Sequence, residues 1–358
     1  MDDSAFMCKV LNEIINADPQ LEVAGQARDG RDAVALAESL RPDVITMDIN
    51  MPHVDGLQAT ELIMSQNPRP IVIVSSESRE GASTTLRALE LGAIDFVPKP
   101  SSGIDLDMKK VGEELTRKLK MAAKVRVVRT ATRSKLPAPH PPVPVSSSYA
   151  SASAIAAQNG GKFPIVVIAA STGGPAAVTR VVAGLPKDFP GATFLVLHMP
   201  PAFTKQFTLQ LAETASLPVK EAESNEATQP GVIYLCPGSH HLRLSSTGKI
   251  ILDAGPRIDG YRPCADVAFE SVAAYARGLA VGVVLTGMSN DGAKGVKAIK
   301  AAAGYLIAQD EASSTIFGMP AEAIKTGVVN EVLSLDAISA AIEKRVAKLT
   351  RLVPVEAR

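Results

Sequence analysis

The feature that most constrains the fold is a series of short, unbroken apolar runs, each followed by a longer segment of helical period. The runs are 44–47, 71–74 and 94–97, and then 165–170, 193–197, 232–236, 281–285 and 305–308. The amphipathic segments between them include 31–40, 79–91, 203–215, 265–276 and 294–302. Apolar runs without polar alternation suit strands that are covered on both faces. Their alternation with helices predicts parallel sheets and a doubly wound α/β fold in each half of the chain.

A stretch rich in Pro, Ser and Ala divides these two halves. Residues 130–161 carry few large apolar side chains, and five prolines fall within 137–144. Proline favours extended backbone, and a stretch with so little apolar surface cannot form a packed core. We therefore predict a semi-flexible linker over residues 126–162. It would join a domain of residues 1–125 to one of residues 163–358, both of ordinary domain size.

Composition and charge argue against several classes of protein. The chain has 37 basic and 37 acidic residues, so it lacks the basic excess with which proteins bind nucleic acid through bulk charge. No apolar run reaches the roughly 18 residues that a membrane span needs, and the acidic N-terminus is unlike a signal peptide. Cys8, Cys236 and Cys264 lack the spacing of a zinc site. These features predict a cytosolic protein without membrane insertion or a disulfide scaffold.

Polar residues follow the predicted strands of the first half at their carboxyl ends, where doubly wound sheets bind ligands. They are Asp48, Ser75 and Lys99, with Asp2 and Asp3 just ahead of a predicted helix over 5–15. Clustered carboxylates suit a hard cation, and a hydroxyl and an ammonium beside them suit an anion. Taken singly, Asp48 also fits a strand-end cap and Lys99 a solvated cation. Only the ordered set predicts a joint cation and phosphoryl site.

With Asn50, Met51-Pro52, Asp55-Gly56 and Lys99-Pro100, this set resembles the response-regulator receiver family from Asp2 to about residue 120. The resemblance implies a flavodoxin-like sheet of five strands in the order 2-1-3-4-5. It also implies a role for each member of the set. Asp48 would be the phosphoacceptor, Mg²⁺ would be held by Asp2, Asp3, Asp48 and the backbone carbonyl of Asn50, and Ser75, Phe96 and Lys99 would form the phosphorylation switch.

One departure from the receiver pattern concerns the first strand. Receivers carry an aliphatic strand directly before the acidic pair, whereas here only Met1 precedes Asp2. Loss of that strand would remove four or five buried aliphatic side chains, at about 1.5–3 kcal/mol each. We therefore expect the given start to be too late, with an apolar strand encoded upstream. With the start as given, we expect a loosened receiver that takes up phosphate poorly.

In the second half, three predicted strands are followed, directly or after a short loop, by residues that suit acyl transfer. Ser171 follows 165–170 and opens a helix through Gly173, Gly174 and Pro175, which permit a sharp turn. His198 follows the next run, and Asp291 lies in the tight loop after 281–285. A serine can attack, a histidine can carry the proton and an aspartate can hold the imidazole tautomer. These residues could therefore meet on one sheet edge.

Simpler interpretations of each residue remain open on spacing alone. Ser171 with two glycines also suits a phosphate-binding turn, His198 a core histidine and Asp291 a helix N-cap. A nucleotide-binding α/β protein and a non-catalytic docking module are thus alternatives to an esterase. The order Ser, His, Asp and the lack of G-x-S-x-G argue against an α/β-hydrolase.

Four motifs are similar to those of the catalytic domain of the chemotaxis protein-glutamate methylesterases, over residues 163 to about 349. They are ASTGGP at 170–175, HMPPAFT at 198–204, TGMSNDGAKG at 286–295 and FGMP at 317–320. A receiver linked to this domain is the architecture of that family. The resemblance implies that Ser171 is the nucleophile, His198 the base and Asp291 the orienting acid, with Thr172 and the Met288 backbone N–H as supporting groups.

The resemblance further implies the substrates and partners. Glutamate γ-methyl esters and glutamines on chemoreceptor cytoplasmic domains would be the substrates, and a chemotaxis histidine kinase the phosphodonor. Mg²⁺ would serve receiver phosphorylation only, with no cofactor for ester hydrolysis. Docking of the unphosphorylated receiver would cover the Ser171 edge.

A few residues depart from the methylesterase pattern. Cys264-Ala265 stands where Ser-Val is usual, Cys236 replaces a common Ala, and Ser224-Asn225 replaces Asp-Gly. We expect Cys264 to alter packing near the site. His240 and His241 have no other ligand types nearby in sequence, so we interpret them as structural or substrate-facing residues.

Overall fold

The computed structural model describes residues 1–75, 78–99, 105–125 and 163–352. The chain divides into two compact units, Met1–Arg133 and Ser134–Arg358. The predicted linker over 126–162 lies outside the described residues, so its boundaries stay a prediction.

The described part of the first unit is a three-stranded parallel sheet with five helices. The strands are β1 (Ile45–Met47), β2 (Ile71–Ser75) and β3 (Asp95–Pro98), in the order β1-β2-β3. The helices are α1 (Ala5–Asn16), α2 (Gly30–Leu40), α3 (Gly56–Gln66), α4 (Arg79–Glu90) and α5 (Asp105–Ala122). Each strand lies within one residue of a predicted apolar run, and the predicted α/β class is confirmed.

The sheet has fewer strands than the five that the receiver resemblance implied. The first strand, whose loss is expected because only Met1 precedes Asp2, is absent from the described residues. Residues 21–27 form no strand, and a cavity of about 260 Å³ is lined both by part of this segment and by residues 43–46, which include the first half of β1. Among the described residues, the backbone hydrogen bonds between these two sides of the cavity run through Met1 and Asp2. The Met1 ammonium donates to Thr46 O and Asp48 N–H donates to Met1 O, while Asp2 N–H donates to Ala27 O. No strand of the described residues lies in the cavity, so residues 21–27 have no ladder partner there and are irregular.

The second unit is built on a seven-stranded parallel sheet. Its strands are β4 (Ile165–Ala170), β5 (Ala192–Leu197), β6 (Val219–Glu221), β7 (Ile233–Leu235), β10 (Ala280–Val284), β11 (Tyr305–Gln309) and β12 (Glu331–Leu333), with β8 (His241–Leu244) and β9 (Ile250–Asp253) as a separate antiparallel pair. The order in the large sheet is β12-β11-β10-β4-β5-β7-β6. The helices are α6 (Gly174–Ala183), α7 (Pro201–Thr214), α8 (Ala265–Ala276), α9 (Ala293–Ala301), α10 (Met319–Lys325) and α11 (Leu335–Leu352).

The register of the three central strands brings the predicted site residues to one edge. Ala170 of β4 pairs with Leu197 of β5, so Ser171 and His198 are the next residues on neighbouring strands. On the other side, Ser171 N–H donates to Thr286 O, in the loop after β10. All of β4, β5 and β10 are buried, as strands covered by helices on both faces must be.

Helix α7 offers a matched test of this packing, because two leucines of the same helix differ in burial. Leu211 is fully buried, whereas Leu209 is 49% exposed. We expect Leu211→Ala to lower the free energy of unfolding by about 2–5 kcal/mol, since it removes buried methyl groups and leaves a cavity. Leu209→Ala should change it by less than about 1 kcal/mol. Urea unfolding of the full chain measures both, and equal losses would contradict the assigned helix face.

Candidate active site

Ser171 lies in a sharp turn between β4 and α6. Gly173 at the helix N-cap has φ +73°, and a Cβ there would lie 2.5 Å from the Thr315 hydroxyl oxygen. Gly174 N–H donates to Ser171 O over 2.7 Å and closes the turn. The two glycines are needed because the backbone turns left-handed and approaches its neighbours closely. Ser171 is thereby held, partly exposed, at the start of a helix.

His198 and Asp291 form a direct pair at the same edge. His198 Nε2 lies 2.8 Å from Asp291 Oδ2, although 93 residues separate them along the chain. The same Oδ2 accepts from Ala265 N–H at 2.6 Å, and Oδ1 accepts from Asp266 N–H at 3.0 Å. Burial alone would raise the pKa of Asp291, but the bonds from His198 and the backbone amides lower it to about 2. The carboxylate is therefore ionised at neutral pH.

The other contacts of the His198 imidazole suit a role as general base. Tyr261 stacks on the His198 ring, with centroids 4.1 Å apart and planes 15° apart. His198 Nδ1 is buried and has no hydrogen-bond partner among the described residues. Since Nε2 carries the hydrogen donated to Asp291, Nδ1 keeps the lone pair that can accept a proton. No hydrogen bond joins the Ser171 hydroxyl to His198 in the described part of the chain, and their proximity rests on the strand register.

The loop after β10 runs against Ser171. A Cβ on Gly287 would lie 2.9 Å from Ser171 Cβ, so only glycine fits there. The next residue, Met288, is partly exposed, and no described residue accepts from its backbone N–H. The Tyr261 hydroxyl lies 3.5 Å from Met288 O. Thr172 is buried, and its carbonyl accepts from the Thr286 hydroxyl at 2.9 Å.

Sequence reasoning missed the supporting roles of Tyr261 and Asp266, and it left His241 as either a structural or a substrate-facing residue. Asp266 Oδ1 accepts from Gly295 N–H at 2.7 Å and so caps α9; burial raises the pKa of this carboxyl. His241 is buried, accepts from Cys264 N–H on Nδ1 and donates from Nε2 to Pro256 O. The pairings span 15 to 29 residues, so local patterns carried no signal for them.

The first unit brings its predicted acidic residues together. Lys99 Nζ lies 2.9 Å from Asp2 Oδ2 and 2.8 Å from Asp48 Oδ2. Both carboxyls are buried, and Asp3 beside them is exposed. Burial raises the pKa of Asp48 against the opposing effect of Lys99, and the two carboxylates raise the pKa of Lys99 although its burial lowers it. A Cβ on Gly56 would lie 1.9 Å from Asp48 O, so this turn also requires glycine.

The other predicted switch residues lie on neighbouring elements. Ser75 ends β2, is buried, and donates to Gly81 O at 3.4 Å. Phe96 in β3 is buried, with Lys118 Nζ 5.2 Å from its ring centroid. Asn50 is exposed, two residues after Asp48.

The acidic residues of the first unit fit a divalent cation. One carboxylate oxygen from each of Asp2, Asp3 and Asp48 lies within 4.8 Å of the others. Lys99 offsets only one of three negative charges, and hard oxygen donors are those that Mg²⁺ prefers. Asp48 Oδ1 already accepts from Ile49 N–H at 2.8 Å, which leaves Oδ2 facing the cluster.

Comparison with known proteins gives consistent results for both units. Residues 166–342 match the CheB methylesterase family, and residues 1–128 match the response regulator receiver domain. Protein-glutamate methylesterase/protein-glutamine glutaminase of Pyrococcus horikoshii is 42% identical over 350 residues, covering 97% of this chain and 92% of that protein. The protein of the same name from Pectobacterium atrosepticum is 42% identical over 342 residues, covering 95% and 93%.

The chain belongs to the protein-glutamate methylesterase/protein-glutamine glutaminase family. A crystal structure of the Thermotoga maritima CheB methylesterase catalytic domain also matches, with a TM-score of 0.50 and 38% identity, covering 52% of this chain and 100% of that one. Family membership confirms both sequence resemblances. In the described ranges, no helix combines the length and apolar character needed to cross a bilayer.

The pKa values of the neighbouring Asp291 and Asp266 should be shifted in opposite directions. Asp291, with a pKa of about 2 against an ordinary 3.8, adds stability that is complete above pH 3.8 and is lost as pH falls towards 2. Asp266 has a raised pKa, so its contribution is complete below its ordinary value of 3.8 and is lost as pH rises through the folded pKa. Carbon-13 NMR of the side-chain carboxyls, assigned with Asp291→Asn and Asp266→Asn, measures both. If Asp266 gave up its proton before Asp291, the assigned hydrogen bonds would be wrong.

Proposed function

We propose that this chain hydrolyses glutamate γ-methyl esters on the cytoplasmic domains of chemoreceptors and deamidates glutamine side chains there. The observation that carries the proposal is the His198–Asp291 pair, which lies at the strand edge next to Ser171 in a chain of this family. A phosphate-binding turn at Gly173-Gly174 would leave that buried hydrogen-bonded pair without a purpose. The alternative of a nucleotide-binding protein is therefore disfavoured.

The proposed reaction begins with attack of the Ser171 hydroxyl oxygen on the ester carbonyl. His198 Nδ1 takes the hydroxyl proton, because it is the ring nitrogen without a partner, and returns it to the departing methoxide. Asp291 stabilises the imidazolium through Nε2–H and holds this tautomer. Water then hydrolyses the acyl-enzyme by the same route in reverse. With a glutamine substrate, ammonia leaves in place of methanol.

Two groups beside Ser171 could stabilise the oxyanion. The Met288 N–H has no acceptor in the described structure, and Gly287 keeps its loop within contact of Ser171. The start of α6 adds the positive end of a helix dipole. Thr172 would hold the turn after Ser171 in place, because its carbonyl accepts a hydrogen bond from the Thr286 hydroxyl.

Substrate recognition must come from the receptor around the modified side chain. A methyl group offers very little binding energy, so the reaction rate has to draw on contacts with the surrounding helix. We therefore expect little activity on free small esters.

The receiver unit would regulate this reaction by phosphorylation on Asp48. In this proposal residues 1–125 are the receiver, 126–162 the linker and 163–358 the catalytic domain. A chemotaxis histidine kinase in the cytoplasm would supply the phosphoryl group, and Ser75, Phe96 and Lys99 would respond to it. Mg²⁺ at Asp2, Asp3, Asp48 and the Asn50 carbonyl would offset the charge of carboxylate and phosphate together. Phosphorylation would shift the tethered receiver away from the Ser171 edge.

Substitution of the nucleophile tests the esterase proposal. Ser171→Ala should reduce methanol release from methylated receptor membranes by about a thousandfold or more, since no hydroxyl remains to form the acyl-enzyme. Ser216→Ala, at a partly buried serine without described contacts, is the matched control and should keep full activity. Receptor binding should be unchanged in both variants. Normal methanol release by Ser171→Ala would refute the mechanism.

Substitution of the phosphoacceptor tests the regulation. Asp48→Asn should abolish acid-stable, base-labile phosphoryl incorporation from acetyl phosphate with Mg²⁺, because the amide cannot form the acyl phosphate. Asp43→Asn, at an exposed aspartate four residues before β1 ends, should incorporate as much as the wild type. Any phosphate-dependent rise in methanol release should disappear with Asp48→Asn. Retained incorporation would place the phosphoacceptor elsewhere.

A further inference from the structure

Cys264 lies directly behind the proposed acid of the triad. Its side chain is 2% exposed, and Sγ lies 3.1 Å from Asp291 Oδ1. Cys264 occupies the N-cap position of α8, where its side chain makes no capping bond to the helix and turns to Asp291. The thiol thus completes the set of donors on that carboxylate.

The protonation state of the thiol makes it a donor. Burial, and then the neighbouring Asp291 charge, raise the pKa of Cys264 to about 12. The thiol therefore keeps its hydrogen at neutral pH, and the ionised Asp291 can only accept. S–H is a weak donor, but here it meets a full negative charge out of contact with water.

The position of Cys264 is fixed from the other side by His241. Cys264 N–H donates to His241 Nδ1 at 3.2 Å, and His241 Nε2 bonds to Pro256 O at 3.0 Å. A continuous chain of hydrogen bonds thus runs from β8 through Cys264 and Asp291 to His198. The Cys264, Asp266 and Asp291 side chains also lie close enough for a metal site, but both oxygens of Asp291 already accept two donors each.

We propose that Cys264 is a positioning residue, whose thiol holds the Asp291 carboxylate in the orientation that His198 requires. This inference rests on the proposed Ser171, His198 and Asp291 mechanism and deepens it. Without the thiol, Oδ1 would keep only the Asp266 amide, and the carboxylate would become more basic and less tightly oriented. A more basic carboxylate stabilises the imidazolium, which would raise the pH at which the base becomes active.

Comparison of Cys264→Ala with Cys264→Ser separates hydrogen bonding from packing. Both substitutions remove the large sulfur atom, but only serine keeps a donor. We expect Cys264→Ala to lower kcat on methylated receptor about fivefold to tenfold, the size of one hydrogen bond, with KM unchanged. The acidic limb of its pH profile should move to higher pH. Cys264→Ser should restore the wild-type kcat and profile.

Two results would overturn the inference. If Cys264→Ala had the wild-type kcat and pH profile, the thiol would not position Asp291. If Cys264→Ser were as impaired as Cys264→Ala, with both variants folded, the side chain would act through packing alone.

A readout without catalysis keeps this test separate from the proposed function. In carbon-13 NMR of the full chain, the pKa of the Asp291 carboxyl should rise in Cys264→Ala and return in Cys264→Ser. Assaying Ser171→Ala in parallel shows whether the esterase mechanism itself fails. If Ser171→Ala were fully active while the NMR shift appeared, the positioning role would stand and the esterase mechanism would fall.

Discussion

The proposed catalytic edge depends on the solvation of one buried carboxylate. Asp291 is 5% exposed, and a charge in such a place is tolerated only when the protein replaces the lost water. Here the replacements come from the end of β5 through His198 and from the start of α8 through Cys264, Ala265 and Asp266. The same bonds that solvate the charge therefore fix the loop after β10 against two other elements, so electrostatics and site geometry are inseparable.

The receiver also buries carboxylates, but there a charged lysine replaces the lost water. Asp2 and Asp48 are buried, and the ammonium of Lys99 lies within 2.9 Å of each. The single positive charge of Lys99 does not offset both carboxylates, and Asp3 adds a further negative charge. In the second unit, neutral donors bind both oxygens of Asp291, and each oxygen already accepts two hydrogen bonds. The receiver cluster keeps an excess of negative charge, which suits the cation and phosphoryl group that we propose for it.

The sequence predicted those parts of the structure that depend on local pattern. Ser171, His198 and Asp291 could be selected because each follows a fully buried apolar run, and parallel strands bring such positions to one edge. The strands β6 and β12 were missed because Val219–Glu221 and Glu331–Leu333 carry charged residues at the sheet margins. Tyr261 and Asp266 could not be selected, since their roles come from contacts between elements that no spacing rule links.

The cavity beside β1 lowers the stiffness of one side of the proposed phosphorylation site. Asp2 and Asp3 stand on a segment whose backbone is tied to its surroundings by few bonds, with no ladder behind it. Asp48, by contrast, follows a strand paired along its length with β2. Asp48 is thus anchored by a paired strand. The segment that carries Asp2 and Asp3 is the weaker wall of the acidic cluster, because its local opening costs less free energy. The affinity of the proposed Mg²⁺ site would then depend on how firmly this weaker wall is held in place, as well as on the chemistry of its oxygens.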